Sequence, residues 1–449
     1  MEAENFLASG FGTRLSIESK SSGWCRLSEK ARTWQPSRLK GIQVSADFGT
    51  PFLAATQVFD LRPVPRKWLS LNRTADHAER FVAEGTILLT CSGSVGRATL
   101  AHSSIDGILV SHDLLRIEAI NPDWRGWVYA YLRAPSIRDM MGAAQYGHII
   151  KHLETHHLDA LPIIEPNGKD TLARCAEAFE KIIVSRNSAR TKMSQAEDAF
   201  QAHFGKTSGQ DEASHFVRRA SDSLFANRRR FDAWTHNPQK SEIEEKLQAG
   251  AVTWTSLRQA DCDVWLPNRF KRVPAEEGVE LVDSSQIFEI NPDYVRRISA
   301  AEISDKNNGY VKPGWLMMSR SGQVYGLLGS VAIATAQHEG KIISDDVIRI
   351  ATGESISPGY LYVAMSHPLL GRPRTKSLAY GSSIPHIEVM DLNAFAVPRL
   401  QPETEKHIAN LAEEAFALWA DADETENLMA RIAEAEIGSF LGGKATPTS

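Results

Sequence analysis

The sequence predicts a mixed α/β protein in which two copies of a strand-rich domain alternate with two long antiparallel coiled-coil helices, related by a pseudo-twofold axis. Three observations lead to this prediction: an internal duplication, short apolar runs bounded by glycine within each copy, and a seven-residue apolar repeat after each copy. The chain has 449 residues, 42% of them hydrophobic, which is enough for two or three domains with sizeable cores.

The duplication is visible as matched residues in the same order. The segment from Gly49 to Pro63 recurs from Gly278 to Pro292, at an offset of 229 residues. Further pairs continue the register with small changes in length: Trp34 with Trp265, Arg38 with Arg269, Gly85 with Gly314, Asp113 with Asp346, Arg116 with Arg349, Tyr146 with Tyr380 and His152 with His386. The sequence is therefore an internal duplication of one unit.

Within each copy, local patterns predict both strands and helices. Residues 85–90 and 329–334 are short apolar runs bounded by glycine and predict strands, whereas residues 127–133 and 360–366 predict helices. The glycine-rich segment 92–96 could approach a phosphate, but a tight turn between strands is favoured.

A long helix follows each copy. Apolar or small residues recur at three- and four-residue spacings at Leu172, Cys175, Phe179, Ile182, Ala189, Met193, Ala196 and Phe200, and at Ile408, Leu411, Ala415, Leu418, Ala422, Met429 and Ile432. We expect a first domain over residues 1–166, a first helix over 167–206, a second domain over 207–400, a second helix over 401–441 and a tail over 442–449.

Arg186 interrupts the apolar seam of the first helix. The helices match at an offset of 237 residues, which takes Arg186 onto Asp423 in the acidic stretch 421–426. Equivalent residues of two antiparallel helices meet only at their centres, so we predict that Arg186 pairs with Asp423 or a neighbour and fixes the register. The alternative is two charges that face solvent.

Composition limits the compartment and the kind of partner. The four cysteines are isolated and form no CxxC pair, and no apolar run reaches the length of a membrane helix, so we expect a cytoplasmic protein. The first twelve residues lack a basic flank, so we expect no signal peptide. The net charge is −5, but residues 402–437 carry −8, which leaves +3 for the rest. Nucleic-acid binding needs local positive charge and is not excluded.

This organisation resembles the specificity subunit of type I restriction–modification systems. The resemblance covers nearly the whole chain and is carried by Gly85-Thr86-Ile87-Leu88-Leu89 with Ser92-Gly93-Ser94-Val95-Gly96-Arg97, by Gly314-Trp315-Leu316-Met317-Met318 with Ser321-Gly322-Gln323-Val324, by Tyr146 and Tyr380 with their glycines, and by Arg230-Phe231-Asp232-Ala233. It implies two target-recognition domains that each recognise one half of a split double-stranded DNA site. It also implies two DNA methyltransferase (modification) subunits that bring S-adenosylmethionine, and a restriction/translocase subunit. The chain itself would bind no cofactor.

The sequence lacks the motifs of the enzymes in such a complex. It has no Asn/Asp-Pro-Pro-aromatic motif of a methyltransferase and no phosphate-binding P-loop, so we expect a non-catalytic subunit. Glu244-Glu245-Lys246 has a nuclease-like order but fits a solvated helix better. His148, His152 and His156 would share a face if they lay on one helix, yet no complete metal-ligand set accompanies them. The shared Asp113/Asp346 and Arg116/Arg349 fit internal salt bridges or strand-end hydrogen bonds.

Basic clusters supply the candidate DNA-binding residues, because arginine and lysine hold phosphates and arginine also binds guanine. The best candidate is Arg372-Pro373-Arg374-Thr375-Lys376, which the sequence predicts to be a polar loop with little to bury. The full set is Arg38, Lys40, Arg66, Lys67, His148, Lys151, Arg269, Lys271, Arg272, Arg372, Arg374, Lys376 and Ser382. Three alternatives remain open: a recognition subunit of another DNA-modifying phage-defence system, a protein-only coiled-coil adaptor, and a duplicated enzyme.

Overall fold

The computed structural model describes residues 9–38, 41–74, 77–144, 152–205, 216–224, 229–303, 309–323, 326–381 and 383–442. The chain divides into two compact units, one formed by the described parts of Met1–Asn187 and Asp421–Ser449 and the other by those of Ser188–Ala420. The boundary falls inside both long helices, so each unit contains part of each. The class is mixed α/β with two strand-rich halves and two long helices, as the sequence predicts.

The first half of the chain alternates short strands with short helices before its long helix. Its elements are α1 (Ser9–Glu18), β1 (Trp24–Arg26), β2 (Ala31–Trp34), β3 (Gln43–Val44), β4 (Thr50–Leu53), β5 (Lys67–Leu69), β6 (Ile87–Thr90), β7 (Ala98–Leu100), β8 (Leu109–Val110), β9 (Leu114–Ala119), α2 (Arg125–Arg133), α3 (Pro135–Ala144), α4 (Thr155–Asp159), β10 (Pro162–Ile164) and α5 (Lys169–Phe204).

Within the described residues, the second half repeats this order except at two places. Its elements are α6 (Ala220–Leu224), α7 (Pro238–Gly250), β11 (Thr253–Ser256), β12 (Asp263–Trp265), β13 (Pro274–Val282), β14 (Arg297–Ile298), β15 (Leu316–Ser319), β16 (Val331–Ile333), β17 (Ile342–Ile343), β18 (Val347–Ala351), α8 (Pro358–Ser366), α9 (Arg372–Lys376), α10 (Val389–Asn393), β19 (Ala396–Arg399) and α11 (Pro402–Leu441). Two helices, and not one, precede its first strand, and the single strand β13 stands where the first half has β3 and β4.

The strand orders of the sheets in the two halves correspond, in agreement with the duplication. The antiparallel order β2-β9-β6-β7 in the first half matches β12-β18-β15-β16 in the second, and the pair β1-β10 matches β11-β19. A second sheet, β3-β5-β4-β8, matches β14-β13-β17, and each contains one parallel pairing, β4 with β8 and β13 with β17. We call β3-β5-β4-β8 and its counterpart the small sheets.

Side-chain hydrogen bonds also recur. Gln57 Nε2 donates to the carbonyl oxygen of Val64 at 2.6 Å, and Gln286 Nε2 donates to that of Asp293 at 2.6 Å. The amide oxygen of each glutamine accepts from the backbone nitrogen three residues earlier. These glutamines lie at the offset of 229, so the structure supports the duplication inferred from sequence.

Each half packs a short helix against a long one through a glycine. A Cβ at Gly126 in α2 would lie 2.1 Å from the carbonyl oxygen of Cys175 in α5, and one at Gly359 in α8 would lie 2.4 Å from that of Ala409 in α11. Only glycine permits such an approach of two helix backbones. Around Gly126, the buried Trp127, Phe179 and Met429 belong to one core cluster of the first unit.

The helices and strands predicted from sequence are present. The runs 85–90 and 329–334 contain β6 and β16, and residues 127–133 and 360–366 lie within α2 and α8. Segment 92–96 is a turn between β6 and β7, with positive φ angles of 71° at Gly93 and 85° at Gly96, as predicted. Glu244 lies in the helix α7, also as predicted.

One sequence expectation about local structure is wrong, and one condition considered from sequence is not met. The condition concerns the histidines: His152 forms an isolated bridge with Ser92, whereas His156 lies on the separate short helix α4, so these two do not share one helix face. His148 lies outside the described residues. Residues 372–376 form the helix α9 and not a polar loop, because distant apolar residues cover this segment.

Candidate nucleic-acid interface

An exposed basic loop follows β2, and its counterpart follows β12. Arg38 is exposed in the first copy, and Arg269 and Lys271 are exposed in the second. Lys40, the counterpart of Lys271, lies outside the described residues. Trp265, immediately before the second loop, packs edge-to-face on Trp315 with ring centroids 4.8 Å apart. The Trp265 ring thus belongs to the domain interior, which favours the prediction of a core or domain-edge role over base stacking.

The small sheets carry further exposed cations. Arg66 and Lys67 are exposed at the start of β5, and β5 pairs with β3, which continues from the basic loop. The offset of 229 takes Lys67 to Arg296 and Trp68 to Arg297. These two arginines are not among the candidates predicted from sequence. The register of the duplication was the signal that could have found them.

Ion pairs within the second copy hold several of these arginines in place. Arg272 Nη2 donates to Asp345 Oδ1 at 2.6 Å, and Arg297 Nη2 lies 3.3 Å from Glu280 Oε1. Arg296 pairs with Asp283. Because these pairs are largely exposed, each contributes at most about 1 kcal/mol to stability. Their main effect is to fix the orientation of the guanidinium groups.

Arg272, Arg296 and Arg297 line one surface cleft of about 580 Å³. Glu276 and the exposed Val295 line the same cleft. It therefore combines cationic and acidic groups with an apolar side chain. This mixture suits a polyanionic ligand that also presents polar and apolar groups, as a DNA groove does.

The strongest sequence candidate is buried. The Arg374 side chain is 1% exposed, and its guanidinium carbon lies 4.4 Å from the ring centroid of Phe395 and 4.9 Å from that of Trp254. Burial lowers the pKa of Arg374 to about 10, although the charge of Glu244 opposes this shift. Arg374 therefore stabilises the second unit from within and is unsuited to touching DNA.

The two neighbours of Arg374 in α9 are only half-buried. Arg372 Nη2 donates to the carbonyl oxygen of Gly326 at 2.7 Å, and its other terminal nitrogen donates to Ser330 Oγ. Lys376 is half-buried as well. The remaining candidates, His148, Lys151 and Ser382, lie outside the described residues.

The shared arginines of the two copies are internal. Arg116 and Arg349 are fully buried and donate to backbone carbonyls at the strand ends, at 3.0 Å to Ser111 and 2.9 Å to Ser344. Burial lowers the pKa of Arg116 to about 10, and the charge of Arg80 adds to the shift. The expectation of strand-end hydrogen bonds is confirmed.

Among the described residues, no group of three or more His, Cys, Asp or Glu side chains could hold a metal ion. In that same part of the chain, no helix has both the length and the apolar character needed to cross a membrane.

A charged cluster lies where α2, α5 and α11 meet in the first unit. Arg186 Nη2 lies 2.8 Å from Asp423 Oδ1 and 3.0 Å from Glu426 Oε1. The Tyr129 hydroxyl donates to Glu426 at 2.8 Å, and Arg133 lies 3.6 Å from the same carboxylate. We call these five residues the buried ion cluster.

Two solved structures that this chain resembles over nearly all its length are S subunits of type I restriction–modification systems, and a third is a structure of a type I system. The S subunit from M. genitalium shares 12% identity over 95% of this chain and 98% of its own, with a TM-score of 0.31. The HsdS subunit from Thermoanaerobacter tengcongensis shares 15% identity over 95% of this chain and 98% of its own, with a TM-score of 0.27. A third structure, from work on complex assembly and conformational transition of the type I system, shares 14% sequence identity with this chain. The match covers 93% of this chain and 97% of the other, with a TM-score of 0.27. No protein-family model and no curated protein matches the chain.

Proposed function

We propose that this chain is the DNA-recognition subunit of a type I restriction–modification complex and catalyses no reaction by itself. Each strand-rich domain recognises one half of a bipartite double-stranded DNA target. Two methyltransferase subunits, which carry S-adenosylmethionine, dock on the chain, and a restriction subunit with translocase activity joins them for cleavage. The proposal follows from the sequence resemblance and from the arrangement of exposed cations.

One observation carries the proposal: an exposed basic loop occupies the same position in both copies. Arg38 follows β2, and Arg269 with Lys271 follows β12, while the small sheet that comes next in the chain carries the exposed Lys67 in one copy and Arg296 in the other. Phosphate contacts position a protein on DNA, whereas sequence is recognised by the side chains between them. Two domains with common cations and different neighbouring residues are suited to two half-sites of different sequence.

The long helices have a second role in this proposal. They set the number of unrecognised base pairs between the half-sites and supply docking surface for the methyltransferase subunits. The α5 helix has 36 residues and α11 has 40, which corresponds to roughly 54–60 Å at 1.5 Å per residue.

The rival functions differ in what the shared residues would have to do. A duplicated enzyme needs the same set of acid, base or nucleophile groups in both copies. Of the shared polar residues, Arg116 and Arg349 are fully buried and bonded to backbone carbonyls. The shared carboxylates are accessible but accept hydrogen bonds from serines at different positions, Asp113 from Ser111 and Asp346 from Ser321. A protein-only adaptor does not need matched exposed cations. A recognition subunit of another DNA-modifying system would use the same surface, and its partner enzyme would identify it.

The test is methylome sequencing of a strain that carries this chain with its methyltransferase partner, beside assays of the purified chain. We expect one bipartite motif whose methylation requires both proteins, and no methyltransferase, nuclease or ATPase activity from the chain alone. No bipartite motif and no DNA binding with the partner would favour the adaptor. Turnover by the purified chain that one substitution in it abolishes would favour the enzyme.

A further inference from the structure

The small sheet of each copy contains an unusual loop at the same place. In the first copy, Gln43 and Thr50 both pair with Leu69 of β5, and β5 lies between β3 and β4. The chain therefore runs along one edge of β5, crosses its face and continues along the other edge. In the second copy, Pro274 and Val279 both pair with Ile298, the counterpart of Leu69, so the register shifts within β13 at residues 275–278. We call residues 45–49 and this irregular segment of β13, residues 275–278, the crossing loops.

A glycine holds each crossing loop against the strand below it. A Cβ at Gly49 would lie 2.7 Å from Cβ of Trp68, and one at Gly278 would lie 2.5 Å from the carbonyl oxygen of Ile298. Real Cβ atoms do not approach so closely, so a larger residue would lift the loop from the sheet. Gly49 and Gly278, the last residues of the two crossing loops, are thus held against the neighbouring strand. The residue before each glycine is therefore also held in a defined position.

That residue differs between the two copies. In the first copy it is Phe48, whose side chain is 81% exposed, and in the second it is Glu277, also exposed, at the same offset of 229. At this exposure Phe48 buries little apolar area, so its ring contributes little to the stability of the folded chain. Asp47 and Glu276, one residue earlier in each loop, are exposed as well.

Cations lie beside both positions. The first crossing loop packs on Trp68, whose strand neighbour Lys67 is exposed, and Arg66 is exposed next to it. In the second copy Arg297 Nη1 lies 3.4 Å from the carbonyl oxygen of Gly278, and Arg296 lines the adjoining cleft. Phosphates held by these cations would bring base edges to the tip of each loop.

We propose that the crossing loops recognise bases, one in each half-site. Phe48 contacts the 5-methyl group of a thymine in one half-site, and Glu277 accepts a hydrogen bond from the N4 amino group of a cytosine in the other. These are the major-groove groups that an apolar ring and a carboxylate select. This inference rests on the proposed function and adds the residues that make the two half-sites different.

Deoxyuridine tests Phe48, since it differs from thymidine only by the missing methyl group. Each thymine of the identified target is replaced in turn, and affinity is measured for the full chain with its methyltransferase partner. We expect one position where the loss of the methyl weakens binding by about threefold to tenfold in the original protein and not in Phe48→Ala. Ile120→Ala, 63% exposed at the end of a different sheet, is the matched control and should keep the full sensitivity.

The second arm tests Glu277. Glutamine binds adenine, whereas a carboxylate selects cytosine, so Glu277→Gln should relax or change one base of the other half-site with a change in preference of about tenfold. Glu276→Gln, the adjacent exposed carboxylate, should leave that preference unchanged. Equal deoxyuridine sensitivity of Phe48→Ala and the original protein, or an unaltered motif with Glu277→Gln, overturns the inference. Failure of the original protein to bind any bipartite site would instead refute the proposed function.

Discussion

Arg186 Nη2 lies 2.8 Å from Asp423 Oδ1, although 237 residues separate them, and both side chains are buried. This is the pair that the helix offset predicts, and Glu426 at 3.0 Å is a neighbour within the predicted acidic stretch. Burial disfavours the charge, but the carboxylates of Glu426 and Asp423 outweigh it and raise the pKa of Arg186. Burial and the Glu426 carboxylate also raise the pKa of Tyr129.

Removing Arg186 should destabilise the protein strongly. Arg186→Ala removes a cation that lies 2.8 Å from Asp423 and 3.0 Å from Glu426, both buried, and we expect the free energy of unfolding to fall by about 3–5 kcal/mol in urea titrations of the full chain. Lys181→Ala is the control. Its ammonium lies 2.7 Å from Asp421 between the same helices, but both side chains are about half exposed, so its loss should cost less than about 1 kcal/mol. If the two substitutions lowered the free energy of unfolding equally, burial would not explain the contribution of the Arg186 ion pair.

Lengthening the helices should change the gap in the DNA target. Four residues added near the middle of both α5 and α11 lengthen each by about 6 Å, close to two base pairs of B-DNA. A methylome should then show the same half-sites with a longer gap. Ser194→Ala with Gln195→Ala alters exposed α5 residues without changing its length and should leave the gap unchanged. New half-sites with the old gap would show that the helices do not set the spacing.

The basic loop of the second copy should contribute salt-dependent, sequence-independent affinity. Replacing Arg269 and Lys271 with alanine removes two phosphate contacts, so the slope of log affinity against log salt should decrease in magnitude by about 2. The loss should be similar for specific and non-specific DNA. The double variant of Arg258 and Lys406, exposed cations elsewhere in that half, should keep the original slope. If both double variants behave alike, the loop is not a phosphate-binding site.

Arg374 should affect stability and not DNA binding. Arg374→Ala removes a buried guanidinium that donates to the Ala396 carbonyl and stacks near Trp254 and Phe395. We expect unfolding to become easier by about 2–4 kcal/mol, with an unchanged salt slope in the protein that remains folded. An unchanged denaturation midpoint combined with a reduced salt slope would restore the interpretation made from sequence.

The seam of α11 shows how far a spacing pattern can lead. Four of the seven seam residues predicted from sequence are fully buried, namely Ile408, Ala415, Ala422 and Met429. The other three, Leu411, Leu418 and Ile432, are only half-buried. In their place, the buried line passes through Ala412, Trp419, Glu426 and Ala433, which are seven residues apart. A leucine one position away makes a stronger apolar signal than alanine or glutamate. The buried position of Glu426 is possible only because Arg186 and Tyr129 supply its partners.

By itself the sequence determined the duplication, the mixed α/β class and the pairing of Arg186 with the acidic stretch. Matched residues, glycine-bounded apolar runs and heptad spacing are properties of the linear chain, so they need no knowledge of the fold. Only the tertiary structure decided which cations face solvent and which residues stand on the crossing loops. The exposure of Arg269 and Phe48 and the burial of Arg374 depend on segments far away in sequence, and no local pattern encodes what those segments cover.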